Sequence, residues 1–251
     1  MGFVGYLFIF VVVKQIFVFL SIFLLVFVGQ AQNTVYQNQL WVNYNFQLPF
    51  AKQKSFQLEI SERVFTNPFE HALLAFRGTY RFPVGKNKEM ALGIANFNQT
   101  PTDPLAQPRL SIPEIRPTID FIYKRPFKKF SLENRVRVEP RFYNIPNSSK
   151  TELTDVVTLG AVRWRDRLQA MIPINSKWDS RIGTELLLHS EVNLATRGFD
   201  QLRFIGALTY KFSSKTQLEA AYIHQLQSKG IIDYFERDIL WLNFTQKIKW
   251  N

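Results

Sequence analysis

Five ionisable side chains stand at alternate positions in one short stretch: Glu133, Arg135, Arg137, Glu139 and Arg141. Guanidinium and carboxylate groups two residues apart can pair with each other, hold an anionic solute in bidentate fashion, or give a passage its ion selectivity. The same chemistry recurs at Glu59 and Arg63, Glu114 and Arg116, Arg163 and Arg165, Glu185, and Gln201 with Arg203. Nucleophilic catalysis has fewer candidates. It needs a histidine beside a serine, oriented by a third polar group, and the histidines are His71, His189 and His224. His189 shares a parity with Glu185 and Glu191, but Ser190 falls on the opposite one. His224 stands with Tyr222 on an apolar parity, and His71 follows a loop. Three scattered histidines are a poor metal set, and no glycine-rich phosphate loop occurs. No catalytic residue, metal ligand or cofactor is therefore expected. The glycosylation-type triplets at Asn98, Asn147 and Asn243 read as chance matches, since Asn243 lies within a predicted strand.

The elements that must position these charges follow from a period of two. Phe130, Leu132, Val136, Val138, Pro140 and Phe142 interleave with the charged series. Leu40, Val42, Tyr44, Phe46 and Leu48 alternate with Gln39, Asn43, Asn45 and Gln47, with Trp41 the exception on the polar side. Ile115, Ile119, Phe121 and Tyr123 alternate with Glu114, Arg116, Thr118 and Asp120. Similar patterns run around Ile60, Phe76, Leu92, Trp164, His189, Phe204 and Tyr222. The last runs from Leu240 to Trp250. The chain thus predicts an all-β fold: one antiparallel up-and-down β-barrel of ten to twelve strands, with no domain boundary after its leader.

That leader is residues 1–31. An apolar run from Ile16 to Val28 follows Lys14, and Gly29 and Ala31 sit where signal peptidase reads small residues, which predicts export with cleavage after Ala31. A second apolar stretch, Phe3 to Val13, leaves open an N-terminal membrane helix or a start codon placed too far upstream. Residues 32–251 then form the barrel domain. Cleavage removes one lysine, taking the net charge from +11 to about +10. An exported basic chain suits anionic lipid headgroups rather than nucleic acid. There is no cysteine, which excludes a disulfide scaffold and a thiolate metal site. No apolar run after Val28 approaches the length of a membrane helix.

Connections alternate in length. Short turns are predicted at 49–54, 83–88, 126–129, 175–176 and 213–215, and longer loops at 98–113, 144–154, 192–200 and 228–236. Tight turns at one end and long loops at the other is the build of outer-membrane barrels. The count comes to about eleven, whereas single-chain bacterial barrels have even numbers, so the parity stays open. Pro117 and Pro173 would break a ladder, and bulges are expected there. The proline-rich loop 98–113 is stiff enough to fold over the barrel mouth.

What the apolar parity meets decides between two classes. Facing lipid, it makes a transmembrane barrel with a charged lumen; facing inward, it makes a soluble periplasmic lipocalin-like barrel. Aromatics near strand ends (Tyr44, Phe46, Tyr80, Phe82, Phe121, Tyr123, Tyr210, Phe212) favour lipid. Leu40-Trp41, the run Glu133 to Glu139, Arg163-Trp164-Arg165, Trp178, Glu185, the strand Phe199 to Gly206, and Leu218 to Tyr222 together resemble the domain of unknown function 2490 family. That resemblance implies an outer-membrane β-barrel and supplies no activity. The expectation is a porin-like barrel in the outer membrane of a Gram-negative-type cell, with outer-membrane lipid and the barrel assembly machinery as partners. Its narrow lumen would be lined by Glu59, Arg63, Glu114, Arg116, Glu133, Arg135, Arg137, Glu139, Arg141, Arg163, Arg165, Glu185, Gln201 and Arg203. The lining serves either as a brace or as a passive pore for small solutes. A barrel enzyme acting on lipids is the further alternative. Solute and oligomeric state are not legible.

Overall fold

The computed structural model describes residues 33–51, 53–191, 198–229 and 233–248, and among them there is no helix. The leader assigned to residues 1–31, and Trp250 at the end of the last strand, lie outside the described residues. The strands are β1 Asn33–Phe50, β2 Lys54–Thr66, β3 Phe69–Gly85, β4 Lys88–Gln99, β5 Ile112–Pro126 and β6 Ser131–Pro146. They continue as β7 Leu153–Pro173, β8 Trp178–Glu191, β9 Phe199–Lys211, β10 Thr216–Ser228 and β11 Asp233–Lys247. Each pairs antiparallel with the next, and β1 meets β11 to close one barrel.

The open question of parity resolves to eleven strands, with a topological consequence. An odd number leaves β1 and β11 running the same way, so the closure is parallel, with Leu40 beside Leu240 and Trp41 beside Trp241. The up-and-down antiparallel scheme therefore holds at every junction but this one. Parallel pairing is slightly weaker per residue, but it leaves no free sheet edge.

One rim carries Ala51 and Gln53 and the connections 86–87, 127–130, 174–177 and 212–215; the other carries 67–68, 100–111 and 147–152. The two-residue hairpin Lys86-Asn87 needs a left-handed residue, and Asn87 supplies it at φ 61°. The last strand begins at Asp233, earlier than the sequence pattern suggested.

No bulge forms at either proline singled out from the sequence. Pro173 is simply the last residue of β7. At Pro117 the register is the same on both sides, from Ile115 opposite Phe142 to Ile119 opposite Val138, and only the pairs between are missing. Continuing that register sets Pro117 against Pro140. Two residues without N–H groups thus share one gap in the ladder instead of shifting it. The bulges fall elsewhere: between Arg63 and Val64, Pro83 and Gly85, Arg141 and Phe142, Asn144 and Pro146, and Leu187 and Leu188.

Space inside is managed by residue size. At mid-strand the inward face of β4 is Ala91, Gly93 and Ala95, which leaves room for the long side chains of β3 and β5. A Cβ at Gly93 would lie 2.6 Å from Thr118 Oγ1 and 2.9 Å from the Gly78 carbonyl, whereas one at Gly206 meets nothing within 4 Å. Gly93→Val is therefore expected to lower stability by about 1–3 kcal/mol, and Gly206→Val to leave it nearly unchanged. Urea unfolding midpoints of the two variants check this; equal midpoints would refute the packing account.

Candidate functional site

The odd-numbered residues of most strands point into the barrel, and they carry the charge. Glu139, Asp120 and Glu185 are 0%, 1% and 2% exposed, while Ile94, Leu168 and Phe204 on the outer face are 59%, 51% and 47% exposed. Glu59, Glu114, Arg116, Glu133, Arg135, Arg137, Glu139, Arg141, Arg163, Arg165, Glu185 and Arg203 all take part in interior ion pairs. Gln201 accepts a hydrogen bond from Arg203, and Arg63 stacks on Trp41 at 3.8 Å.

Register dictates how these charges meet. It sets Arg137 directly opposite Arg165, and Arg135 opposite Arg167, a repulsive arrangement if nothing intervened. The carboxylates relieve it from diagonal positions. Arg165 donates to Glu139 at 3.1 Å and to Glu185 at 2.8 Å. Glu185 also accepts from Arg135 at 2.8 Å and from Arg203 at 3.0 Å. One carboxylate on β8 thereby ties β6, β7 and β9 together. Arg137 closes a fork on Asp120, with Nη2 at 2.7 Å. Glu114 receives Arg116 at 2.7 Å and Arg141 at 2.6 Å, and Arg77 pairs with Glu59 at 3.2 Å. Nearer the short-turn rim, Glu133 takes Arg167 at 3.2 Å and Gln169 at 2.8 Å.

The wall formed by β1 and β9–β11 differs. Trp41, Ile205, Ile223 and Ile239 form a buried apolar cluster with Trp241 against it. Arg63 lies on the face of Trp41, and the Arg203 guanidinium is 5.3 Å from the same ring. This layer divides the interior. A chamber of about 500 Å³ on the short-turn side is lined mainly by amides, hydroxyls and charged groups, Asn43, Asn45 and Gln57 among them. A chamber of about 90 Å³ lies on the long-loop side, under Thr100, Pro101 and Thr102. Trp41, Arg63, Arg77, Arg165 and Arg203 line both chambers. The 100–111 loop is anchored over the mouth: Gln37 Nε2 donates to Thr102 O at 2.9 Å, and Arg109 Nη2 to His71 O at 2.8 Å.

Several participants were not singled out from sequence. Arg77 and Asp120 were visible in the alternation yet carry no distinguishing mark. Arg237 precedes the segment recognised as the last strand. Asp200, which pairs with Arg163 at 2.9 Å, sits at a bulge, at the boundary between a predicted loop and a predicted strand. Trp41 did carry a signal, an aromatic on a polar parity. The candidate catalytic groups are kept apart: β8 points His189 and Ser190 to opposite faces, opposite Arg163 and Val162. His224 bonds Asp238 at 3.0 Å and His71 bonds Glu62 at 2.7 Å, both partly exposed. Among the described residues no group of three or more His, Asp or Glu side chains is placed to hold a metal ion.

A family model described as "Protein of unknown function (DUF2490)" matches residues 38–235. No curated protein matches the chain.

Glu185 is the most heavily used acceptor of the interior, so Glu185→Gln leaves three guanidinium groups without their shared anion. The expected loss of stability is about 3–5 kcal/mol, as for breaking a buried pair from one side. Adding Arg135→Gln should recover part of it, because the second change removes one stranded charge. Unfolding midpoints of the wild type, the two single variants and the double variant close the cycle; purely additive losses would show that the two groups are not coupled.

Proposed function

The chain belongs to the DUF2490 family, and we propose that its barrel spans the outer membrane as a braced structure whose lumen is sealed at mid-height. One observation carries this reading: buried charge inside and exposed aliphatic and aromatic side chains outside, the reverse of a soluble barrel. Strand length supports it. The strands run from 12 to 21 residues, above the ~9–11 needed by a tilted strand to cross the hydrocarbon. On the outer face of the short-turn rim, aromatic rings pack in succession. Tyr44 packs with Phe46 and Phe244, Tyr80 with Phe50 and Phe82, Phe127 with Phe130, and Tyr210 with Trp178 and Phe212. Such a girdle suits the membrane–water interface, where an apolar ring with a polar tip is favoured. The partners this implies are outer-membrane lipid and, during biogenesis, the barrel assembly machinery.

The seal follows from the layer shared by the two chambers. A small barrel has an interior that side chains can fill, and here Trp41, Arg63 and Arg203 occupy the level between the cavities. A passive pore for small solutes is the second reading, favoured by the cavities on either side of that single layer. Reconstitution into planar bilayers separates them. The sealed barrel gives no unitary steps, while Trp41→Gly, which removes the ring between the chambers, opens a small conductance. Steps in the wild type would establish the pore instead. Recovery of the protein in a detergent-free soluble periplasmic fraction would overturn the membrane assignment altogether.

A further inference from the structure

The smaller chamber, on the long-loop side, is lined by seven arginines and, among the described residues, by no carboxylate. Five of those arginines have an acid within ion-pair distance elsewhere: Arg77 on Glu59, Arg116 on Glu114, Arg163 on Asp200, and Arg165 and Arg203 on Glu185. Arg63 and Arg237 have none among the described residues. Arg63 rests on the Trp41 ring, and its buried Nε has no hydrogen-bond partner among the described residues. Arg237 is 4% exposed and donates only to the neutral side chains of Gln37, at 2.7 Å, and Gln227, with Nη2 left unpartnered. Arginine does not shed its proton in proteins, so two positive charges border the chamber with no acid at ion-pair distance, and Glu59 and Asp200 act on them only from farther away. Such burial is costly unless an anion is supplied.

We infer that this chamber is a binding site for one small divalent oxyanion, a phosphate or sulfate group. The charge of such an anion matches the two uncompensated guanidinium groups, and its oxygens match the forked donors of arginine. The free space, about 90 Å³, is more than a single water needs and leaves room for one small oxyanion. Gln39, Gln201, Gln225 and Gln227 add amide groups that can donate without adding charge. Thr100 to Thr102 roof the space, so the group is held beneath the 100–111 loop. The inference stands on the interior alone and does not depend on what the outer face meets. The same chemistry can arrive as a free ion or as the phosphate of a lipid headgroup.

Equilibrium dialysis of the full chain in detergent, in excess sodium chloride, tests it with three probes: radiolabelled phosphate, radiolabelled sulfate and short-chain phosphatidic acid. The expected result is saturable binding of one anion per barrel, by phosphate and sulfate if the source is a free ion, or by phosphatidic acid alone if it is a headgroup. Arg63→Gln and Arg237→Gln should each weaken that binding roughly tenfold or more, the factor for removing one charged hydrogen bond. Arg181→Gln, whose side chain pairs with Glu219 outside the chamber, should leave it unchanged. Heat-modifiable migration verifies that each variant is folded. Absence of saturable binding by all three probes to the wild type overturns the site without recourse to any variant, as does undiminished affinity in folded Arg63→Gln and Arg237→Gln.

Discussion

A guanidinium group inside a narrow barrel needs a carboxylate within reach, and the architecture follows from meeting that need repeatedly. Each arginine on β5 to β9 is long enough to reach the next strand or the one beyond it. The acids therefore need not stand directly opposite. Arg135 on β6 crosses β7 to reach Glu185 on β8 at 2.8 Å. Register becomes rigidly specified in consequence. A slip of one residue would turn Glu139 and Asp120 outward and bring Val138 and Ile119 in. Burying ions in this way adds little net stability over an apolar filling. What it adds is intolerance of alternative pairings, which an eleven-stranded sheet of alternating residues would otherwise permit.

The odd strand number and the two-sided interior belong together. Ionic pairing dominates the wall from β5 to β9, whereas the seam where β1 meets β11 in parallel is lined at mid-height by Trp41, Trp241 and Ile239. Apolar packing is indifferent to strand direction, so it suits the one junction where parallel neighbours place like residues side by side. Trp41 and Trp241 meet edge to face at 6.4 Å, a favoured geometry for aromatic pairs. Small residues at Ala207 and Ala221 leave space on the adjoining strands.

Much of this was legible in the sequence because a strand writes its two faces on alternate residues. The barrel class and most of the charged stretches could be read from that alternation, and the family from the resemblance carried by an ordered series of short pieces such as Arg163-Trp164-Arg165. The remainder depends on relations between strands that no single strand records. The parallel closure arises from how many strands there are, not from any one of them. Pro117 looked like a bulge until Pro140 came opposite it across the ladder. Asp200 stood at the boundary of a predicted loop and strand, and only the bulge at Leu187–Leu188 brings it alongside Gln201 on the inner side. Arg63 looked like any other lumen arginine, and Arg237 fell ahead of the strand that the pattern revealed. Only the distribution of acids in three dimensions separates them from the rest.

That distribution explains why the interior is uneven. Glu185, Glu139 and Glu114 each serve more than one arginine, so the shared anionic charge lies on the β5–β9 wall. The lining of the smaller chamber is left rich in guanidinium and, among the described residues, holds no carboxylate. A barrel built only to be braced would gain from one more acid near Arg237, and the neighbouring positions already hold residues of nearly the right shape. Gln37 and Gln227 sit where glutamates would neutralise the site, and they present amides instead. Neutral acceptors orient the Arg237 guanidinium while leaving its charge available, which is what holding a polyanionic group requires and what bracing does not. The aromatic face of Trp41 does the same for Arg63, since a cation–π contact steadies the cation without cancelling its charge.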